Sequence, residues 1–234
     1  MKKQFMVVGL SCLLSLAMTA VAWAYNPGQR TYNLVGNLLN SAKQPVHVEL
    51  VQQVDKAKIL KPEAYALLED KEKRLTHIAI YNEVSEDLYG QRVLSKDGMG
   101  TVVKDMSFIL RDGHFYIINN LEKTYDCLPF VPGLSKSFTQ GLLPWFNEKP
   151  EAGVDEVLSA DYDQFTLGKR SLKMYFHKDT DQWLGYQVGN LALQQVRLYN
   201  QAVDESALAL PTEEYKLVPN AAFRRQAERL LDKK

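Results

Sequence analysis

The stretch Ser107-Phe108-Ile109-Leu110-Arg111-Asp112-Gly113-His114-Phe115-Tyr116-Ile117-Ile118 decides the fold. Two apolar, aromatic-rich runs flank Asp112-Gly113, a dipeptide suited to positive φ at both central positions of a tight turn, so the segment predicts a two-residue β-hairpin. Working outward, residues 101–111 and 114–119 are its strands, and residues 123–128 continue as a third after a turn at Asn119-Asn120. Upstream, Val46, Val48 and Leu50 alternate with His47 and Glu49, the period of a half-buried strand. Residues 74–84 and 87–96 add two more strands, and Asp97-Gly98-Met99-Gly100 supplies the turn after them.

The second half repeats the style. Leu172, Met174 and Phe176 alternate with Lys173, Tyr175 and His177. The polar turn Lys178-Asp179-Thr180-Asp181 leads to residues 183–188, then Gly189-Asn190, then residues 191–200. Turns every 8–12 residues or so predict an antiparallel meander rather than βαβ units. Helices are expected at residues 63–73, opened by Lys61-Pro62, and at 220–233, capped by Asn220 with Phe223, Ala227, Leu230 and Leu231 on one face. Residues 129–150 are harder to place. Phe130, Val131, Leu134, Phe138, Leu142, Leu143, Trp145 and Phe146 are interrupted by Pro132, Gly133, Gly141 and Pro144, which predicts a loop with one short helix over 135–143. Its apolar density fits core packing, a lid over a hydrophobic cavity, or an interaction surface.

Composition bounds the function. The 234 residues are 46% hydrophobic and 24% charged, with 28 basic against 28 acidic side chains. Disorder is disfavoured by the apolar content, and nucleic-acid binding by the lack of a basic excess. The first 24 residues differ from the rest. Lys2 and Lys3 precede an apolar run over 5–22, and Ala22-Trp23-Ala24 is a signal-peptidase pattern followed by Asn26-Pro27-Gly28. The expectation is a cleaved signal peptide over 1–24 rather than a retained anchor, with no stable transmembrane segment afterwards. Leu10-Ser11-Cys12 is a poor lipobox, because Gly9 replaces a larger aliphatic residue and the apolar run continues beyond it. The remaining 25–234 reads as a single β-rich domain, net acidic by two because Lys2 and Lys3 are lost and no acid is. It keeps one cysteine, Cys127, read as a buried small hydrophobe.

Catalytic and metal patterns are weak. Gly133-Leu134-Ser135-Lys136-Ser137 misses a nucleophile elbow because Ser137 stands where the last glycine belongs, so Ser135 reads as a helix cap. His47, His77, His114 and His177 are isolated and lack metal-ligand spacing. Asp179-Thr180-Asp181 begins like a calcium loop, but Trp183 and Leu184 break the pattern. Gly98-Met99-Gly100 lacks the further glycine and helix of a phosphate cradle. Arg224, Arg225, Arg229, Lys233 and Lys234 are interspersed with Glu228 and Asp232, as on a solvated helix face. No catalytic residue, metal or cofactor is expected, and the chain is read as a non-enzyme.

The ordered series of segments resembles LolA-like proteins, the superfamily of periplasmic lipoprotein carriers and their relatives. The resemblance rests on the 107–118 hairpin, on Glu122-Lys123-Thr124-Tyr125 after it, and on the meander over 172–200. Leu208-Ala209-Leu210-Pro211 and Tyr215-Lys216-Leu217-Val218 are similar to the closing segment. It implies a mainly β fold: a strongly curved antiparallel sheet, an incomplete barrel, with a few helices closing an apolar cavity that shields acyl chains. The inward candidates are Val48, Leu50, Ile78, Ile80, Ile109, Ile117, Leu172, Met174, Phe176, Leu184 and Tyr186, and the lid is Leu142, Leu143, Trp145 and Phe146. The sequence departs from the family at Thr101-Val102-Val103-Lys104-Asp105-Met106, where true carriers have an arginine-proline motif. The expected ligand is therefore a lipid or acyl chain, that of a lipoprotein being one case. The alternative is an envelope sensor that docks a protein partner, and either would work in the periplasm, cell envelope or outside the cell.

Overall fold

The computed structural model describes residues 27–40, 45–55, 74–200 and 202–232. The expected signal peptide and the helix expected at 63–73 lie outside the described residues. Twelve strands form one curved sheet that is not closed into a barrel. In chain order they are β1 Val46–Asp55, β2 Arg74–Ser85, β3 Leu88–Lys96, β4 Val102–Arg111, β5 His114–Asn119, β6 Thr124–Pro129, β7 Glu151–Asp155, β8 Ala160–Leu167, β9 Arg170–His177, β10 Trp183–Val188, β11 Gln194–Asn200 and β12 Lys216–Leu217. Among the described residues three α-helices accompany them: α1 Gln29–Asn40, α2 Phe138–Leu142 and α3 Ala221–Leu231.

The deciding hairpin forms as read. Arg111 faces His114 across a turn with φ of 52° at Asp112 and 70° at Gly113, the twist that matches right-twisted strands. The spatial order is β12-β6-β5-β4-β3-β2-β1-β11-β10-β9-β8-β7. β1 to β6 form one meander and β7 to β11 a second; they join where β1 pairs antiparallel with β11, His47 opposite Asn200. β12 is a two-residue strand parallel to β6.

This order imposes two long crossings. β6 lies near one edge and β7 forms the other, ten strand steps away, or about 48 Å along the sheet at the usual spacing. The connector between Pro129 and Glu151 must traverse that width, and it does so over the concave face. From β11 the chain then returns over the convex face, through a 3₁₀ turn at Glu205–Leu208, to reach β12 beside β6. Leu208, only 1% exposed, seats over β3, where a methyl group on Gly90 would lie 2.4 Å from Leu208 Cδ2.

Several sequence expectations change. Residues 151–167, unassigned from sequence, are β7 and β8, and α1 has no counterpart in the sequence reading. The short connector helix starts at Phe138, and its cap is Ser137 rather than Ser135. Ser137 Oγ accepts from the Gln140 amide at 3.2 Å while Gln140 Oε1 accepts from the Ser137 amide at 3.3 Å. The last strand of the second meander begins at Gln194, not 191. α3 is capped by Asn220 as expected and turns Phe223, Ala227 and Leu230 to the core, but Leu231 is exposed. Cys127 is half-buried rather than buried.

Two buried carboxylates tie the helices to the sheet. Asp163 on β8, fully buried, accepts from the Gly28 amide at 2.9 Å and from Thr31 Oγ1 at 2.8 Å, which fixes the start of α1. Asp126 on β6, 1% exposed, accepts from the Asn220 amide at 2.7 Å, from Arg224 Nε at 2.9 Å and from Arg224 Nη2. Burial pushes the Asp126 carboxyl up, but the Arg224 and backbone hydrogen bonds outweigh it and hold it below the ordinary aspartate range.

Asp163→Ala is expected to destabilise the fold by about 3 kcal/mol, measured by denaturant unfolding, with α1 amides losing hydrogen-exchange protection first. Because the folded pKa of Asp126 is depressed, its contribution is present above the unfolded aspartate pKa of about 4 and is lost as pH falls through the folded value. Thermal melts from neutral to acid pH should therefore fall more steeply for the wild type than for Asp126→Asn.

Candidate functional site

Directly opposed residues share a sheet face, so register assigns the inward candidates other than Leu184. Val48 faces Tyr81 and Leu50 faces Ala79, and this face continues to Val93, Met106, Phe108, Ile117 and Leu128 across β3 to β6. On the other side of β1 it continues through Tyr199 and Val196, then Trp183 and Tyr186, then Leu172, Met174 and Phe176, then Phe165. This is the concave face, and it carries two apolar clusters. One joins β1, β8, β9 and β10 with Leu34 and Leu38 of α1; the other joins β3 to β6 with Ala227, Phe223 and Leu230 of α3.

Of the sequence candidates, Val48, Leu50, Leu172, Met174 and Phe176 meet in the first cluster, with Tyr186 packed against it. Ile117 belongs to the second. Ile78 and Ile80 do not point inward: they stand opposite Val51 and Glu49, on the convex face. Ile109 also faces outward, beneath the return crossing, with Gly90 opposite it. Leu184 falls in the irregular register between Trp183 and Gly185 and is half-buried.

The lid candidates are packed into the interior. Leu142 and Trp145 are 7% exposed and belong to the first cluster, half-buried Phe146 packs on it edge-to-face with Phe165 at 5.1 Å, and Leu143 is half-buried and in neither cluster. The connector's earlier residues, Phe130, Val131 and Leu134, fill the second cluster. Between the two, Glu83 on β2 accepts from the Thr139 amide at 2.9 Å and from Thr139 Oγ1 at 2.7 Å, pinning the first turn of α2 over mid-sheet. The connector therefore plugs the concave face.

Among the described residues a cleft opens at the β10–β11 seam. β10 and β11 pair only at Gly185–Gln195 and Tyr186–Gln194, then splay apart. In the gap, under one face of α1, lies a cleft of about 490 Å³ lined by Leu34, Phe176, Trp183, Val196, Leu198 and Tyr199, with Arg30, Asn33, Asn37, Asp181, Gln182 and Arg197 among its polar lining. Arg30 is held by Asp161 at 2.8 Å and by Asp181, whereas Arg197 is exposed. Trp183 anchors the inner wall: its Nε1 donates to the Gly185 carbonyl at 2.9 Å, and its ring meets Tyr199 edge-on at 6.0 Å and stacks with Tyr186 at 6.4 Å. Burial pushes the Tyr81, Tyr186 and Tyr199 hydroxyls above the ordinary tyrosine pKa, so all three stay protonated donors. Tyr199 Oη is buried with no hydrogen-bond partner among the described residues. Tyr199, Trp183 and Tyr81 are not among the sequence candidates; the available signal is that each sits on the same parity as the apolar residues across its register partner.

Among the described residues no group of three or more His, Cys, Asp or Glu could hold a metal ion, and no helix is long and apolar enough to cross a membrane. No family model matches the chain, and no curated protein matches it. Among solved structures the chain is similar to an uncharacterized conserved protein from Thermus thermophilus, at 11% identity and a TM-score of 0.45, over 81% of this chain and 99% of that one. It is also similar to PNGF-II, at 8% identity and a TM-score of 0.31 over 80% of this chain and 33% of that one. A chain of the Pseudomonas aeruginosa MucA/MucB complex matches at 15% identity and a TM-score of 0.38, over 80% of this chain and 64% of that one.

If the connector is a plug, truncating its inner and outer leucines should differ. Leu142→Ala is expected to lower unfolding free energy by about 3 kcal/mol, and Leu143→Ala by about 1 kcal/mol. Equal losses in denaturant titrations would contradict the packing described.

Proposed function

We propose that the protein is an exported, non-enzymatic binding or carrier protein of the cell envelope that takes up a lipid or acyl group. The observation that carries this reading is the cleft between α1 and the splayed β10–β11 seam, with its apolar wall and its unpartnered tyrosine hydroxyl. Its volume of about 490 Å³ falls within the range of small-molecule pockets, roughly 300–1,000 Å³. An acyl chain is held there without polar recognition, since each methylene removed from water contributes about 0.8 kcal/mol. The polar end then has two donors to meet: Tyr199 Oη inside and the Arg197 guanidinium outside. The resemblance of the 107–118 hairpin and the later meander to LolA-like carriers points the same way, as does the export signal read at residues 1–24.

A second reading has its own observation. β7 is an edge strand, paired with β8 on one side and open on the other among the described residues, and Val154, Val157 and Leu158 around it are 50%, 94% and 42% exposed, a template for strand addition by a protein partner. Crosslinking in the native envelope separates the two, because a docking module yields one stable protein and a carrier yields transient ones.

The decisive measurement for lipid binding is native mass spectrometry after gentle purification, with extraction of the bound material. A protein that is always empty, and that ignores fluorescent fatty acids, is not a lipid carrier. Tyr199→Phe sharpens the test. Removing an unpaired buried hydroxyl should leave stability unchanged or raise it by up to about 1 kcal/mol, while weakening fatty-acid binding severalfold.

A further inference from the structure

The convex face carries a second cleft, of quite different chemistry. It lies under the return crossing, with a volume of about 490 Å³. Its floor is Asp105 and Ser107 on β4, 7% and 8% exposed, and its roof includes Ala209, Leu210 and Pro211. Arg92 grips the Asp105 carboxylate with Nε at 2.9 Å and Nη2 at 2.7 Å, and Asn120 Nδ2 donates to the same carboxylate at 2.9 Å. Burial pushes the Asp105 carboxyl up, but the Arg92 and Asn120 hydrogen bonds outweigh it, so the group stays ionised. Asn120 Nδ2 also donates to Ser107 Oγ at 3.0 Å, and Asn120 Oδ1 accepts from Tyr215 Oη at 3.2 Å.

The hydrogen-bond balance of this cleft is lopsided. Both Asp105 oxygens and the Asn120 carbonyl are already engaged. The donors left over are the Nη edge of Arg92 turned away from Asp105, the hydroxyl proton of Ser107, and part of the Lys123 ammonium. Lys123 has long-range partners, its Nζ 4.8 Å over the Tyr215 ring, 3.5 Å from Tyr215 Oη and 4.0 Å from the exposed Glu214. Arg92 is locked on one side by a two-point contact, so its free edge is oriented before anything binds and loses little freedom on binding. A fork of N–H donors beside an ammonium matches a bidentate oxyanion.

We infer that this convex cleft is a binding site for a small organic oxyanion, a carboxylate or a phosphate monoester, received by Arg92 and Lys123 with its apolar body under Leu210 and Pro211. The site is on the opposite face from the acyl cleft and does not depend on the lipid reading.

The test is calorimetric titration of the full chain with butyrate, butyl phosphate and butanol, which share a body and differ in the head group. Saturable binding of either anion at least tenfold tighter than butanol is expected, and the tighter of the two identifies the source. Affinity should fall with added salt. Arg92→Gln alone strands the buried Asp105 carboxylate, so the informative variant is Arg92→Gln with Asp105→Asn, which keeps a neutral hydrogen-bonded pair. It should lose tenfold or more in anion affinity at an unchanged Tm, and Lys123→Gln about threefold, while Arg111→Gln on the distant hairpin changes nothing. Butanol binding as well as the anions, the double variant binding as well as the wild type, or no saturation of either anion by about 10 mM overturns the site. Displacement of a bound fluorescent fatty acid by butyl phosphate would instead place the anion in the α1 cleft, and would also refute it.

Discussion

The architecture depends on a routing constraint: the sixth and seventh strands are ten positions apart in the same sheet. A chain that leaves β6 and must begin β7 has to cross the whole width, and crossing over the concave face places it where water is excluded. A backbone in that position needs apolar side chains below it and local hydrogen bonds for its own amides. Residues 130–147 meet both needs, with Phe138, Leu142 and Trp145 buried, a capping box at Ser137, and Glu83 receiving the Thr139 donors. The same logic holds on the other face, where the return to β12 is pinned by Leu208 and by the Arg92, Asp105, Asn120 and Tyr215 cluster.

Two clefts among the described residues, one on each face, differ because the surfaces that line them differ. The concave gap inherits aromatic and aliphatic strand residues and the seam where β10 and β11 separate. The convex gap inherits the outward parity of β3 and β4, where Arg92, Asp105 and Ser107 alternate with core residues. One sheet thus offers a greasy opening over β9 to β11 and a polar one over β3 to β6, without any element dedicated to either.

Legibility from sequence follows how one-sided each strand is. The β4–β5 hairpin is plain because Asp112-Gly113 is nearly unique in its turn geometry, and β9 is plain because Leu172, Met174 and Phe176 are buried at alternate positions. β2 is not, because both its faces are covered: Ala79 and Tyr81 pack on one side and Ile78 is buried on the other, so apolarity does not reveal which parity looks inward. That is why Ile78 and Ile80 are misplaced from sequence. α1 is hidden by its mixed composition: Thr31, Leu34, Val35 and Leu38 are buried, but Asn33 and Asn37 interrupt the pattern. The connector's hydrophobicity stands out in the sequence, but its cause is topological and is invisible until the strand order is known.

The joint between β1 and β11 has a temporal side. Strand pairs within each meander join segments close in sequence, whereas His47 and Asn200 meet only after nearly the whole chain is available. Non-local pairing of this kind is slow, so two half-sheets each carry a raw edge, β1 on one and β11 on the other, until they find each other. An unpaired edge of that length is an invitation to a neighbouring chain. Until that pairing forms, the seam beside the α1 cleft is an open strand edge on both halves.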